Sequence, residues 1–139
     1  RIELPDNRGE LAVIGSVFQT QENAERYTRA LLDAEPPGSA EGKKITRLLV
    51  AHDPSIFSHV TDADQIDLMV SGHTHGGFWG IQGMFSVVNA IFKMPDNGAW
   101  RRGNSHLYVH RGQGTSGFPM RLGIWNETGL LNVYFKKSV

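Results

Sequence analysis

The stretch "QIDLMVSGHTHGG", residues 65–77, joins a short apolar run to two histidines set among small residues. An apolar run of this length that ends in glycine is typical of a buried strand. A second apolar run occurs upstream in "KITRLLVAH", residues 44–52, and it is followed directly by a histidine. Loops that leave the carboxyl ends of parallel strands converge on one crevice of an open sheet. The sequence therefore predicts that His52, His73 and His75 lie at one edge of a sheet.

The rest of the chain alternates strand and helix patterns, which predicts an α/β fold. Thr20 is a candidate N-cap for an amphipathic helix, and Pro54 is a candidate first residue of a short one. The segment between the histidine pair and residue 104 lacks clear periodicity and is interpreted as a long ordered loop, in which "WRRGN" is a solvated turn. Strands are predicted over 10–18, 44–52, 65–72, 105–112 and 129–136, and helices over 20–34, 54–60 and about 85–92.

Composition excludes several classes of protein. A chain of 139 residues forms one ordinary domain, and its 14 basic and 14 acidic residues give no indication of nucleic acid as a specific partner. The absence of cysteine excludes disulfides and thiolate metal sites, so any metal ion is held by nitrogen and oxygen. No apolar run approaches the roughly 20 residues of a membrane-spanning helix.

The six histidines have different interpretations. His59 ends a polar helix and His106 starts a strand, so both are interpreted as structural. His110 shares a strand face with Tyr108, and its role is left open. The other three follow strands and have glycine neighbours, which let the backbone approach an ion closely.

Three stretches carry a family resemblance: "VAHDPSIF" (50–57), "DLMVSGHTHGG" (67–77) and "LYVHRGQGTSGFPMRL" (107–122). Together they resemble the C-terminal half of a calcineurin-like metallophosphoesterase, and more narrowly the often membrane-associated subgroup of UDP-diacylglucosamine hydrolase-like enzymes. The resemblance implies half of a four-layer α/β/β/α sandwich, with residues 1–139 as the C-terminal portion of a single metallophosphoesterase domain. Half of such a sandwich would expose an apolar sheet face.

The resemblance also implies a reaction and a site. In that family two divalent ions, roughly 3.5–4 Å apart, clamp a phosphoester and activate a hydroxide. The ions would be Mn, Zn, Fe or Mg, and the substrate a phosphorylated small molecule or lipid. His52 and His73 resemble ligands of one ion and His75 a ligand of the other, so all three are the candidate metal and catalytic residues. Arg111, Gly112 and Gly114 resemble a substrate-binding segment beside them.

Other ligands of the family are missing from these residues. The family's Asp-x-His, Gly-Asp and Gly-Asn-His segments have no counterpart upstream of His52, where the only aspartates are Asp6 and Asp33. Phe78 and Asp53 also depart from the subgroup's usual residues. We therefore expect an N-terminal half in cis or in trans, with possible membrane association of the parent protein and a cytoplasmic or membrane-associated location.

Three interpretations remain open at this stage. The chain is part of a two-metal hydrolase, or a metal-binding module without turnover, or an interaction fragment whose histidines stay empty. The apolar stretch "FWGIQGMFSVVNAIF" (78–92) is interpreted as core packing, with contact to an acyl chain as the alternative.

Overall fold

A computed structural model of the chain describes residues 1–5, 9–17, 21–38, 45–81, 84–115 and 119–134. The strands are β1 (Ile2–Glu3), β2 (Glu10–Ser16), β3 (Ile45–Ala51), β4 (Leu68–Ser71), β5 (Gly80–Ile81), β6 (Phe85–Ser86), β7 (Gly98–Arg102) and β8 (Ser105–Val109). The α-helices are α1 (Gln21–Ala34) and α2 (Val87–Phe92). Short 3₁₀ helices cover Pro54–His59, Asp62–Asp64 and His75–Gly77.

The main sheet has six strands in the order β1-β2-β3-β4-β8-β7. The four central strands are parallel neighbours, whereas β1 and β7 pair antiparallel at the two edges. Strands β5 and β6 form a separate two-stranded sheet. The α/β class predicted from the sequence is therefore confirmed.

One face of the main sheet carries the core. Leu49, Met69 and Val109 lie on neighbouring strands and have no exposed surface. They pack with α1 and with the 3₁₀ helix Pro54–His59 through apolar residues that include Ala24, Leu32, Ile56 and Phe57. Full burial of such a side chain contributes about 1.5–3 kcal/mol, so this cluster dominates the stability of the fold.

The opposite face is open over β2 and β3. Val13 is 49% exposed and Val50 is 40% exposed, although both lie in parallel strands at the middle of the sheet. Parallel sheets in proteins are usually covered on both faces. The C-terminal segment reaches this face at β8, where Tyr108 bonds to Glu127. The apolar surface around the two valines is therefore uncovered in the described part of the chain.

Two sequence predictions about the second half of the chain are wrong. Residues 129–134 form no strand, and Leu130 and Tyr134 are 85% and 88% exposed. Alternating polarity produces a strand only where a sheet edge accepts it, and β7 already occupies the edge beside β8. The segment 76–104 is no single loop, because it contains β5, β6, α2 and β7.

The "WRRGN" stretch is the end of a hairpin and not merely a solvated turn. Its first three residues belong to β7, and Gly103, with φ of 55°, makes the turn into β8. The strands predicted around β2, β3, β4 and β8 are confirmed, as is the short helix at Pro54, which is of the 3₁₀ type. Thr20, the predicted cap of α1, lies outside the described residues.

One ion pair joins α1 to the 3₁₀ helix Asp62–Asp64, which precedes β4. Arg29 donates from Nη1 and Nη2 to the two carboxylate oxygens of Asp64, at 2.9 and 2.8 Å, and from Nη2 to the carbonyl of His59 at 2.7 Å. Asp64 also accepts from the backbone and hydroxyl of Thr61. Burial alone would raise the pKa of Asp64, but the bonds from Arg29 and Thr61 outweigh it and lower the pKa.

We predict that Asp64→Asn lowers the free energy of unfolding by about 2 kcal/mol, because a charged, nearly buried bond to Arg29 is lost. Urea denaturation measures the effect. Asp33→Asn, at an exposed position of α1, is the control and should change stability by less than about 0.5 kcal/mol. Equal effects of the two substitutions would contradict a specific role for the ion pair.

Candidate active site

Hydrogen bonds between loops hold three strand ends together at the carboxyl edge of the sheet. The backbone N–H of Gly72 donates to the carbonyl of His52 at 3.1 Å. The N–H of His110 donates to the carbonyl of Ser71 at 2.8 Å. The parallel pairing of β3, β4 and β8 therefore continues past the strands, and it brings the residues that follow each strand side by side.

His52 and His73 lie in direct contact at this edge. Nδ1 of His73 is 3.0 Å from Nε2 of His52, and the rings meet edge to face with centroids 4.8 Å apart. The 3.0 Å separation is a hydrogen-bond distance. Two nitrogen ligands of one ion, each at about 2.0–2.1 Å, would lie about 2.9 Å apart at a right angle and about 3.3 Å apart at the tetrahedral angle. The two rings are therefore close enough to bind one ion together once both facing nitrogens are deprotonated.

The electrostatic environment favours the neutral form of His73. Partial desolvation of the ring lowers its pKa, and the neighbouring His52 and His75 lower it further, against the opposing effect of the Asp53 carboxylate. Asp53 is buried and accepts a bond from the N–H of Ser55 at 2.8 Å, which caps the 3₁₀ helix Pro54–His59. Neutral imidazole is the form that binds metal.

His75 has different partners. Its Nδ1 is 2.9 Å from the carbonyl of Gly114, and its ring stacks on Phe78 with centroids 5.2 Å apart. When Nδ1 carries the proton and donates to this carbonyl, Nε2 keeps its lone pair. The 3.2 Å approach of Nη2 of Arg121 to the same Nδ1 is then a contact between two donors and not a hydrogen bond. Metal-binding histidines commonly have this arrangement, because the bonded N–H fixes the tautomer and the ring orientation.

The donor set is incomplete in the part of the chain that the structure describes. Within those residues no group of three or more His, Cys, Asp or Glu side chains converges to hold a metal ion. His52 and His73 contact each other, whereas His75 contacts Gly114, Phe78 and Arg121. The described residues therefore fit half of a coordination shell and a separate imidazole.

The loop that carries the histidine pair has an unusual backbone. His73, His75 and Phe78 have φ of 68°, 52° and 57°, in the left-handed region that side chains other than glycine rarely adopt. Such residues cost on the order of 1–3 kcal/mol each, and they cluster at functional sites. Local sequence preference would not produce this loop, so contacts with the rest of the fold must hold it in place.

Two glycines make the close packing of this loop possible. Gly76 has φ of 70°, and a Cβ there would lie 2.6 Å from Cγ2 of Ile124 and 2.8 Å from Cγ of Arg111. Gly77 has φ of 84°, and a Cβ there would lie 2.6 Å from Cβ of Ser86. Both positions require glycine for the backbone angle and for space.

A buried aspartate that was not predicted from the sequence bonds to the histidine loop through its backbone. Asp96 is 3% exposed and accepts bonds from the hydroxyl of Ser86 and from Nδ2 of Asn97. Its backbone carbonyl accepts the hydroxyl of Thr74, between the two histidines, at 2.5 Å. Burial raises the pKa of Asp96. The sequence offered no signal for this role, because the bonds with Thr74 and Ser86 join residues that are 22 and 10 positions from Asp96.

An apolar cavity of about 250 Å³ opens beside His73. It is lined by Asp53, His73, Thr74, Phe78, Val88, Phe92 and Met94. Part of the stretch 78–92 therefore forms a wall of the site. The side chains of α2 make no buried core, and Phe92 is 65% exposed.

Arg111, a predicted substrate-binding residue, has an intramolecular partner. Its Nε donates to Oε2 of Glu127 at 2.9 Å, and its backbone N–H donates to the same oxygen at 3.1 Å. Tyr108 donates its hydroxyl to the other oxygen of this carboxylate. Burial would raise the pKa of Glu127, but the bonds from Tyr108 and Arg111 outweigh it and lower the pKa to about 2.

The two glycines predicted to bind substrate lie on the same rim. Gly112, with φ of 66°, donates its N–H to Nδ1 of His110 at 2.9 Å. Gly114 presents its carbonyl to His75. Residues 116–118, which follow this substrate-binding segment, lie outside the described residues. His59 and His106 do not join this edge, since one ends the 3₁₀ helix and the other is exposed on β8.

Comparison with known proteins gives relatives for part of the chain. It is 30% identical to the uncharacterized metallophosphoesterase YkuE of Bacillus subtilis over 90 residues. This matched region covers 64% of this chain and 31% of YkuE. The chain is 30% identical over 94 residues to an uncharacterized metallophosphoesterase of Helicobacter pylori, covering 66% of this chain and 24% of that protein. The uncharacterized protein YpbG of B. subtilis is 33% identical over 86 residues, 62% of this chain and 30% of YpbG.

These matches span less than a third of the length of each relative. No family model and no solved structure matches the chain. In the described residues no helix has the length and apolar character needed to cross a membrane. The chain is related to proteins named metallophosphoesterases.

We predict that Gly77→Ala lowers the free energy of unfolding by at least about 2 kcal/mol, because the added Cβ meets Ser86 at a positive φ. Gly15→Ala on β2 is the matched control. A Cβ there meets no atom within 4 Å, and alanine suits a strand better than glycine, so stability should stay level or rise. Thermal denaturation of both variants decides, and a tolerated Gly77→Ala would contradict the packing described for this loop.

A second prediction concerns Glu127 and pH. A carboxyl whose pKa falls from 4.5 to about 2 on folding contributes about 3 kcal/mol above pH 4.5, and this is lost as pH falls toward 2. Glu127→Gln should therefore be less stable than wild type at pH 7, and the gap should shrink between pH 5 and pH 3. Urea denaturation at each pH measures it, with Glu25→Gln on the exposed face of α1 as control. A gap independent of pH would refute the assignment.

Proposed function

We propose that residues 1–139 form the C-terminal portion of a metallophosphoesterase domain and supply histidine ligands to a two-metal hydrolytic site. The observation that carries the proposal is the 3.0 Å approach of the His52 and His73 ring nitrogens at the carboxyl edge of the sheet. Relatives named metallophosphoesterases support the same reaction class. The narrower assignment to UDP-diacylglucosamine hydrolase-like enzymes is part of this proposal and rests on the sequence resemblance.

In this proposal His52 and His73 hold one divalent ion and His75 contributes to the second. Bound Mn, Zn, Fe or Mg ions would polarise the phosphoester and provide hydroxide at neutral pH. The chain's own residues orient the donors: Gly114 fixes the tautomer of His75, and the crowded strand ends set the spacing of the other two rings. Arg111, Gly112 and Gly114 form the rim that a phosphorylated small molecule or lipid would contact.

The remaining ligands have to come from elsewhere. Two ions held close together need a bridging carboxylate, and the described residues do not gather one around the histidines. The relatives are more than three times longer than the matched region, which leaves room for an N-terminal half in cis or in trans. The open sheet face around Val13 and Val50 is where the second sheet of a four-layer sandwich would pack.

A second candidate function is metal binding without turnover, as part of an interaction fragment. The pairing of two histidines, with the third directed to Gly114, favours this alternative for the 139 residues by themselves. Two imidazoles with water can hold one ion weakly, and they cannot bring two ions together. The two candidates therefore differ in stoichiometry and in the need for the N-terminal half.

We predict that the isolated chain binds at most one Mn²⁺ weakly, and that His52→Ala or His73→Ala lowers the affinity by about tenfold or more. Isothermal titration at pH 7.5 measures this. His106→Ala removes an exposed histidine of β8 and should have no effect. The affinity should fall at acid pH, because a protonated imidazole does not bind metal. Binding that all three variants retain would contradict the ligand assignment.

Turnover separates the two candidate functions. Bis-nitrophenyl phosphate should be hydrolysed only when the N-terminal half is present, with about two metal ions per complex. In that complex His52→Ala, His73→Ala and His75→Ala should each lower kcat/KM by about 10²-fold or more. Efficient turnover by residues 1–139 alone would show that they contain a whole site, and no turnover in the complex would favour the binding function.

A further inference from the structure

The guanidinium of Arg121 is held beside His75 by backbone carbonyls. Its Nε donates to the carbonyl of Gly114 at 3.0 Å, and its Nη2 donates to the carbonyl of Arg111 at 2.8 Å. Nη1 lies 3.4 Å from the carbonyl of Trp125. Nη2 is also 3.2 Å from Nδ1 of His75. Arg121 is thus fixed in orientation at the edge where the candidate metal ligands lie.

The charge of Arg121 is not compensated by these contacts. Carbonyl oxygens satisfy hydrogen bonds but carry no net charge. The ion pairs found in the described residues involve Arg1, Arg29 and Arg111, and none involves Arg121. Two guanidiniums therefore lie close together with the single carboxylate of Glu127, which pairs with Arg111. In the part of the chain that the structure describes, the positive charge of Arg121 therefore has no carboxylate partner.

Desolvation and the neighbouring charge of Arg111 both lower the pKa of Arg121, which is the response expected of a cation without an anionic partner. A guanidinium stays protonated at physiological pH, so Arg121 keeps its positive charge. An anion that enters beside His75 would relieve both effects. Nε and Nη2 of Arg121 already donate to the carbonyls of Gly114 and Arg111. A phosphate oxygen would therefore meet the Nη1 edge, whose contact with the Trp125 carbonyl is the longest of the set at 3.4 Å.

We propose that Arg121 is a phosphate-binding residue of this site. It would take the substrate-binding role that the resemblance implied for Arg111. The inference rests on the proposed function for the identity of the anion, a phosphate group of the substrate or product. Arg111 is committed to Glu127, and its side-chain stem packs against Gly76. Arg121 combines a fixed guanidinium, an uncompensated charge and a position next to His75.

The same geometry gives Arg121 a second effect on the site. The Gly114 carbonyl accepts from both Arg121 and His75, so the guanidinium helps to hold the acceptor that sets the tautomer of His75. A lysine at this position would keep the charge but lose the fork that engages several carbonyls at once. Arg121→Lys and Arg121→Gln therefore separate charge from geometry.

Inorganic phosphate is the probe, and its affinity is measured by isothermal titration with and without Mn²⁺. Arg121→Gln should weaken phosphate binding by about tenfold or more, and Arg121→Lys by a smaller factor of about three to five. Arg101→Gln is the matched control, because exposed Arg101 also donates Nε to a backbone carbonyl, that of Gly103 at 2.9 Å. It should change the affinity by less than twofold. Circular dichroism checks that each variant is folded.

Each outcome bears on one proposal at a time. Wild-type protein that binds no phosphate at about 20 mM, roughly 20-fold above a millimolar Kd, would overturn the role of Arg121. So would Arg121→Gln and Arg101→Gln variants with equal affinities. If Arg121→Gln does not fold, the Arg121→Lys variant takes its place as the test. Phosphate affinity and salt dependence equal to those of the wild type would then overturn the proposal. Phosphate binding that depends on Arg121 in a protein that binds no Mn²⁺ would support the anion site while refuting the metal assignment.

Discussion

The structure of the site depends on the parallel pairing of β3, β4 and β8. The bonds from Gly72 to His52 and from His110 to Ser71 extend that pairing beyond the strands. A shift in register by one residue would turn His73 away from His52, since successive residues of a strand face opposite sides. The apolar residues that set the register, such as Leu49 and Met69, therefore control the spacing of the imidazoles without contacting them.

The loop around the histidine pair has a conformation that only its surroundings can maintain. The positive φ values of His73 and His75 oppose local preference, whereas the bond of Thr74 to Asp96 and the packing of Gly76 on Arg111 favour it. The contact between Arg111 and Glu127 fixes the other side of the same loop. Favourable contacts elsewhere in the fold thus offset the backbone strain of this loop and hold it in one geometry. Strained backbone of this kind is found at sites that must be preorganised.

The sequence predicted the parts of this arrangement that rest on local pattern. Apolar runs located β3, β4 and β8, and the residues after them located His52 and His73. The roles of Asp96 and Arg121 could not be predicted, because each depends on contacts between segments that only the fold brings together. The strand predicted at 129–136 is wrong over the described residues 129–134, for the related reason that periodicity does not reveal whether a sheet edge is available.

The carbonyl of Gly114 accepts hydrogen bonds from both Arg121 and His75, and this shared acceptor has a thermodynamic consequence. An event that draws the guanidinium away from the carbonyl also changes the bond between that carbonyl and the imidazole. A ligand on one side therefore changes the free energy of an event on the other, and linkage requires that this influence be equal in both directions. A single peptide oxygen makes the cation and the imidazole one cooperative unit.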